Sequence, residues 1–99
     1  MKKIILLCAG GMSTSLLVSK MEDAAAQLGI ECQVSAHPVT AAKSVASDAD
    51  IVLLGPQIRF ELNNIKSLLP DKEVRVIDMI DYGMIDGKAI VNKIVDFIK

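Results

Sequence analysis

The sequence predicts an α/β fold in which a four-stranded parallel sheet carries helices on both faces. Three observations support this fold class. Apolar runs of strand length recur, most plainly at residues 4–7 and 51–54, amphipathic stretches lie between the runs, and turn residues separate the two. Strands and helices that alternate in βαβαβαβα order form parallel sheets. The expected strand order is 2-1-3-4, which places the topological switch point beside the first strand.

The first strand and the first helix have the clearest patterns. Residues 3–7 are apolar from Ile4 onward and partly β-branched, which is typical of a short buried strand. Residues 13–28 have apolar side chains at helical spacing, and Gly29 supplies the C-terminal stop. The predicted inward residues of this helix are Leu17, Met21, Ala24 and Leu28.

The second strand is predicted at residues 30–36 and at an edge of the sheet, because one of its faces is polar. His37-Pro38 is expected to end it. His37 is the only histidine, so it is either a turn residue or a candidate base or phosphate carrier. A short helix over residues 40–47, capped by Thr40, is expected to follow.

The second half of the chain repeats the same alternation. Residues 51–54 predict a central strand, residues 55–57 have turn chemistry, and residues 73–77 predict the fourth strand. Pro70 is expected to stop the helix between them, and residues 78–83 are expected to form a loop. The inward residues of that helix are Ile58, Leu62, Ile65 and Leu69, and those of the last helix, capped by Asp86, are Ile90, Ile94, Phe97 and Ile98.

Composition limits the classes of function. The 99 residues predict one domain, 1–99, and a hydrophobic fraction of 52% supplies its core. A net charge of −1 gives no bulk attraction to nucleic acid or to an anionic membrane. The chain has three aromatic residues and no tryptophan, which is poor equipment for holding a sugar or base unaided. Because no apolar run approaches the ~18 residues of a membrane span, we expect a soluble chain.

The two cysteines are expected to stay reduced. Cys8 closes the first predicted strand and Cys32 opens the second, so in a parallel sheet they lie at opposite ends. Five residues of strand separate these ends by about 15 Å, whereas a disulfide needs Cα atoms within about 7 Å. Reduced thiols point to the cytosol.

The segment between the first strand and the first helix is the candidate site. Two glycines let the backbone turn tightly, and the hydroxyl residues that follow are good helix caps. Free amides and the positive end of the helix dipole make such a turn an anion site, and the same field favours a thiolate at Cys8. The predicted nucleophile is Cys8, and the predicted phosphate-binding residues are Ala9, Gly10, Gly11, Met12, Ser13, Thr14 and Ser15.

Several interpretations of Cys8 stay open at this point. The simplest makes it a buried strand-end residue, since free cysteine is among the most buried types. A tyrosine-phosphatase-like hydrolase would have an arginine six residues after the cysteine, where this chain has Thr14; Asp78 or Asp81 would be its acid. Thiol redox chemistry lacks a partner cysteine within reach, and the glycine-rich nucleotide-binding motifs are absent. A carrier that holds a phosphoryl group without hydrolysing it fits the loop best.

The chain resembles enzyme IIB of the bacterial sugar phosphotransferase system, in the branch for lactose, cellobiose and chitobiose. The resemblance lies in residues 8–21, in Val52-Leu53-Leu54-Gly55-Pro56-Gln57-Ile58, and in short matches at 68–70, 76–78, 82–83 and 86–87. It implies a phosphocarrier, which we expect to be cytosolic and to need no cofactor or metal. We expect a monomer, because nothing in the sequence demands more. A phosphohistidine on a IIA protein would phosphorylate Cys8, which would pass the group to a β-linked disaccharide, cellobiose or diacetylchitobiose, bound by the membrane component IIC.

Two departures from the family pattern concern the site. Ala9-Gly10 replaces an expected Ser-Ala, which removes one hydroxyl, and Arg59 stands where a neutral residue is expected. Arg59 either leans toward the phosphoryl group or meets a partner surface, and interfaces are enriched in arginine. Gln57 and Tyr82 lie on neighbouring loops and are the other candidate partner-facing residues.

Overall fold

A computed structural model of the protein describes residues 1–9 and 13–99. Its sheet has four strands, and every strand pair is parallel, in the order β2-β1-β3-β4. The predicted fold class and strand order are confirmed. The strands are β1 (Lys2–Cys8), β2 (Cys32–Pro38), β3 (Ile51–Leu54) and β4 (Val74–Val76).

Helices cover both faces of the sheet. The α-helices are α1 (Ser13–Gln27), α2 (Ala42–Val45), α3 (Leu62–Leu68), α4 (Met79–Gly83) and α5 (Gly87–Ile94), and 3₁₀ segments span Val39–Ala41, Pro56–Glu61 and Val95–Phe97. Alternate side chains of a strand point to opposite faces, so Ile4 and Leu6 pack with α1 and α5, whereas Ile5 and Leu7 pack with α2 and α3. Strand β3 and residues 4–7 of β1 are apolar at every position because each face lies against helices.

Helix α1 ends as the sequence predicts but buries a slightly different stripe. Gly29 has φ +75°, its amide donates to the Ala26 carbonyl, and the next amide, of Ile30, donates to the Ala25 carbonyl. This double bond pattern is a Schellman stop, and it confirms the role of Gly29. The prediction of an inward Leu28 is wrong, because the helix ends at Gln27 and Leu28 is half exposed; Ala25 is buried instead.

Strand β2 begins and ends two residues later than predicted. His37 and Pro38 belong to the strand, where they lie opposite Leu7 and Cys8 of β1. Proline is tolerated here because β2 is an edge strand, where a missing ladder donor costs little. The predicted edge position is confirmed, whereas the predicted turn at His37-Pro38 is wrong.

Short elements account for the other differences. Thr40 does not cap a helix, because it lies inside the 3₁₀ turn that precedes α2. The helix predicted from Ile58 starts only at Leu62, after a 3₁₀ segment. The predicted loop at 78–83 is largely helix α4, since the Asp78 carboxylate accepts hydrogen bonds from the first amides of that helix.

Helix α5 matches its prediction closely. The Asp86 carboxylate accepts from the Ala89 amide at 3.0 Å, which confirms the cap. Ile90, Ile94 and Ile98 are buried, Phe97 is half-buried, and Val91 is a buried residue that the spacing did not single out.

The arrangement of the cysteines is as predicted. Cys32 pairs with Lys2 at one end of β1, and Cys8 pairs with Pro38 at the other, about 20 Å away at the usual rise per residue. Both thiols are free. Within residues 1–9 and 13–99, no helix has the length and apolarity needed to cross a membrane.

Candidate functional site at the carboxyl edge of the sheet

The carboxyl ends of three strands meet at one edge of the sheet. The Gly55 amide, just beyond β3, donates to the Leu7 carbonyl of β1 at 2.9 Å. The Ile77 amide, just beyond β4, donates to the Leu54 carbonyl at the same distance. These bonds place the segment after β3 beside the end of β1 and the segment after β4 beside the end of β3. Both segments therefore lie at the edge of the sheet that the sequence predicts, where parallel sheets bind ligands.

Cys8 is the last residue of β1 and is only 5% exposed. Its Sγ lies 3.9 Å from the His37 carbonyl oxygen on β2, a weak S–H···O contact. The Cys8 side chain is therefore nearly enclosed. Ala9, the next residue, is exposed, so the strand reaches the surface immediately after the cysteine.

The described part of the predicted phosphate loop is split between buried and exposed residues. Thr14 is 8% exposed and has a polar partner, whereas Ser15 is exposed. Helix α1 begins at Ser13, so the positive end of a 15-residue helix follows Cys8 closely in the chain. The other predicted positions, Gly10, Gly11, Met12 and the Ser13 side chain, lie outside the described residues.

Gly55 is the point at which three side chains converge. A Cβ added to Gly55 would lie 3.2 Å from Gln57 Oε1, 3.6 Å from Cys8 Cβ and 3.7 Å from Tyr82 Cε2. Gln57 and Tyr82, the two residues predicted on neighbouring loops, therefore border the same small space as Cys8. From the sequence, Gly55 is predicted only as a turn residue, because its close contacts with Cys8 and Tyr82 are tertiary and follow no sequence pattern.

Arg59 points its side chain toward its own turn. Its Nη1 donates to the Pro56 carbonyl oxygen at 3.1 Å, and the residue is exposed. The guanidinium therefore has a backbone partner in the 3₁₀ segment.

Helix α4 and the 3₁₀ segment before α3 also display apolar side chains near this edge. Phe60 is 77% exposed, Met79 62%, Ile80 70% and Met84 72%. A monomer rarely leaves several large apolar side chains exposed on adjoining segments without a partner to cover them. Met79 and Ile80 lie in the predicted loop at 78–83, and no sequence pattern reveals that this segment is helical, because the helix depends on the local Asp78 cap.

The imidazole of His37 lies on the other face of the sheet from Cys8. His37 pairs with Leu7, and neighbouring strands place paired residues on the same face, so its ring shares the face of Leu7. Its Nε2 lies 3.0 Å from Ser35 Oγ. Only the His37 backbone carbonyl reaches the cysteine.

The two aspartates that a phosphatase would need as acids already have structural partners. The Asp78 carboxylate accepts from the Ile80 amide at 2.9 Å and caps α4. Asp81 Oδ2 accepts from Lys93 Nζ at 2.5 Å, and this contact raises the pKa of the lysine.

Comparisons with known proteins agree on one family. The model of the "PTS system, Lactose/Cellobiose specific IIB subunit" family matches residues 3–93. The oligo-beta-mannoside-specific EIIB component of Bacillus subtilis is 46% identical over 90 residues, covering 89% of this chain and 87% of that protein. The galactose-specific and cellobiose-specific EIIB components of two Lactococcus lactis subspecies are each 38% identical over 96 residues, covering 90% of this chain and 89% of each relative.

Solved structures give the same result. The solution structure of the cellobiose-specific IIB component of Borrelia burgdorferi has a TM-score of 0.78 and 30% identity, and covers 98% of this chain and 91% of that one. The lactose-specific IIB domain of Streptococcus pneumoniae superposes with a TM-score of 0.85 over 99% of this chain and 98% of that one, and at 15% identity it supports the fold alone. These matches favour the phosphocarrier over the phosphatase alternative. The chain belongs to the lactose/cellobiose-specific IIB family of the sugar phosphotransferase system, whose members are phosphotransferase components that work with IIA and IIC partners.

Proposed function

We propose that residues 1–99 form a single IIB domain that carries a phosphoryl group on Cys8. The group comes from a phosphohistidine of the IIA partner and goes to a β-linked disaccharide, cellobiose or diacetylchitobiose, bound by the membrane component IIC. The observation that supports this most directly is the position of Cys8, at the carboxyl end of β1 and beside Gly55, where the ends of three strands meet. The carrier is expected to be cytoplasmic and monomeric and to need no cofactor or metal.

Each transfer exchanges one bond to phosphorus for another. In the first, the Cys8 sulfur attacks phosphorus, an S–P bond forms, the P–N bond breaks, and the IIA histidine leaves as neutral imidazole. In the second, a sugar hydroxyl attacks, a P–O bond forms, the S–P bond breaks, and the hydroxyl proton leaves to a base or solvent at the IIC site. Loop amides at Ala9, Gly10, Gly11, Met12, Ser13, Thr14 and Ser15 are expected to hold the phosphoryl oxygens.

A carrier must hold the group without hydrolysing it, and the described residues support this. The position that holds an arginine in a tyrosine phosphatase is Thr14, and the guanidinium of Arg59 donates to its own turn. Without a charged clamp, the developing charge of a hydrolytic transition state is less stabilised. Asp78 and Asp81, the candidate acids of a phosphatase, instead accept hydrogen bonds from the Ile80 amide and from Lys93 Nζ.

The partner surface is proposed to lie around the same edge. Gln57, Arg59 and Tyr82 border it, and the exposed apolar side chains of α4 adjoin it. Methionine is flexible and polarizable, so Met79 and Met84 suit a surface that must fit two different partners in turn.

Phosphorylation from a IIA donor tests the proposal. The chain is incubated with phosphorylated IIA, and intact mass is measured at neutral pH. We expect one added phosphate, absent in Cys8→Ser and retained in Cys32→Ser, the matched control. Cys32 is a good control because burial, with the nearby charge of Glu22, raises the pKa of its thiol and so disfavours the reactive thiolate.

Two results would count against the carrier. One is a phosphate that persists in Cys8→Ser. The other is rapid, steady hydrolysis of an aryl phosphate that depends on Cys8, which would support the phosphatase alternative.

A further inference from the structure

We propose that the Gln57 side-chain amide donates a hydrogen bond to the phosphoryl group on Cys8, and that Gly55 is glycine to leave room for it. This inference rests on the proposed function and assigns a further residue to the same site. It starts from the space above Gly55, which Gln57, Cys8 and Tyr82 share.

Gly55 is not required by the backbone. Its φ of −61° and ψ of 147° are open to any residue, so a side chain would be accepted on conformational grounds. What a Cβ would change is space, because it would lie 3.2 Å from Gln57 Oε1, closer than ordinary van der Waals contact. The missing Cβ therefore leaves room for the Gln57 carboxamide in the space that Cys8 Cβ also borders.

The Gln57 carboxamide has no structural task of its own. The side chain is exposed, and within residues 1–9 and 13–99 it makes no hydrogen bond. The oxygen and the NH₂ group of a carboxamide exchange places by a half-turn of the terminal torsion, so the donor can occupy the position given for Oε1. A carboxamide that has no hydrogen-bond partner among the described residues, in a space that Cys8 also borders, is suited to donate to an anionic group attached to that sulfur.

A neutral donor also fits the chemistry of a carrier. Charge-assisted hydrogen bonds are roughly twice as strong as neutral ones, so an arginine here would hold the phosphoryl group more tightly and stabilise charge during hydrolysis. A neutral amide donor stabilises the phosphoryl group on Cys8 less strongly, so the group can still be transferred to the acceptor. The nearby cation, Arg59, donates to Pro56 instead.

Tyr82 forms the third wall of this space. Its ring packs partly against the core, and Cε2 is the ring atom that faces Gly55.

The test measures the equilibrium of phosphoryl exchange with IIA. A neutral hydrogen bond corresponds to roughly a two- to tenfold change in an equilibrium constant, so Gln57→Ala should shift the exchange toward phospho-IIA by about that factor. Gln57→Glu places a negative charge beside the phosphoryl group, so its shift should be larger. Gln33→Glu is the matched control, since Gln33 is exposed and pairs with Lys3 near the amino end of β1, and it should leave the equilibrium unchanged.

Spectroscopy gives a readout independent of transfer rates. The chain has three glutamines, so the side-chain amide signals of Gln27, Gln33 and Gln57 can be assigned separately. On phosphorylation we expect the Gln57 NH₂ protons to move downfield, whereas the other two, which lie toward the opposite edge, should not move.

Gly55→Ala links the two halves of the inference. It should reduce both the Gln57 signal shift and the equilibrium constant, and it should add nothing in the Gln57→Ala background, because both changes remove the same interaction. An equal further loss in that background would overturn the assignment of this space to Gln57.

The outcomes separate this inference from the proposed function. If the unmodified chain takes no phosphate from IIA, both are overturned. If it is phosphorylated on Cys8 but Gln57→Ala and Gln57→Glu exchange normally and the Gln57 signal stays in place, only the role of Gln57 is overturned. Thermal unfolding of each variant confirms that it is folded.

Discussion

Helices α1 and α5 approach so closely at Gly87 that a single methyl group should separate them. A Cβ on Gly87 would lie 2.5 Å from the Lys20 carbonyl carbon, 2.7 Å from the Lys20 oxygen and 2.7 Å from the Met21 nitrogen. All three are backbone atoms of α1, so no side-chain rotation relieves the clash. We therefore expect Gly87→Ala to destabilise the fold.

The size of the effect follows from the distances. Carbon atoms pack at about 3.5–4.0 Å, so the helices must part by about 1 Å. This opens the contacts of Met21 and Val91, both of which are fully buried. Overpacking costs about 1–3 kcal/mol, and a rigid backbone neighbour places this site near the upper value. Helix propensity returns up to about 1 kcal/mol for replacing glycine by alanine, which leaves a net loss of about 2 kcal/mol.

Urea unfolding followed by circular dichroism measures this loss. The midpoint should fall while the slope m stays constant, since the same surface is exposed on unfolding. In a domain of this size the melting temperature should fall by about 8–16 °C. Gly83→Ala is the matched control, because a Cβ there meets nothing within 4 Å. A Gly87→Ala variant as stable as Gly83→Ala would refute the packing explanation.

Three further predictions concern individual polar groups. Asp86→Ala removes the carboxylate cap of α5 and should lower the free energy of unfolding by about 1 kcal/mol, measured by the same urea unfolding. Glu22→Gln removes a charge that raises the pKa of the Cys32 thiol, although burial is the larger cause, so alkylation of Cys32 by iodoacetamide in a Cys8→Ser background should become modestly faster. A hydrogen bond from the Lys3 side chain holds the pKa of the Asp48 carboxyl below its usual value of 3.8. The charged Asp48 therefore stabilises the fold above pH 3.8, and this contribution is lost as the pH falls through the lower pKa of the folded state. The stability difference between the unmodified chain and Asp48→Asn should therefore shrink in acid and in high salt.

The sheet could be predicted because its sequence signal is local. Residues 51–54 are apolar at every position, and only a strand with helices on both faces buries such a run, so β3 was predicted to the residue. Alternation with helices then settled the parallel order. The edge strand was harder, because its partly polar pattern tolerates a shift in bounds and because proline is harmless at an edge.

Structural features that depend on a single contact could not be predicted from the sequence. Helix α4 is five residues long, too short for a periodic pattern, and it exists where the Asp78 carboxylate meets two free amides. In the candidate site, the sequence correctly predicted that Cys8 lies at the carboxyl edge of the sheet and that the segments of Gln57 and Tyr82 lie near it. The sequence does not show that the Cys8 side chain is nearly enclosed, or that Gly55 leaves a space shared by Cys8, Gln57 and Tyr82. Both features are set by neighbours distant in the chain.

Gly55 borders the candidate site, whereas Gly87 lies between two helices of the scaffold, so the same substitution should have different effects at the two positions. Neither has a positive φ, so at both positions the reason for glycine is space. At Gly87 the neighbours are backbone atoms at 2.5–2.7 Å, which cannot yield, whereas at Gly55 the tightest neighbour is the end of an exposed glutamine side chain at 3.2 Å, which can swing aside. Gly87→Ala should therefore lower stability, and Gly55→Ala should leave stability within about 0.5 kcal/mol while weakening phosphoryl transfer. If Gly55 were a packing residue of the scaffold, unfolding measured on both variants would show that Gly55→Ala lowers stability as Gly87→Ala does.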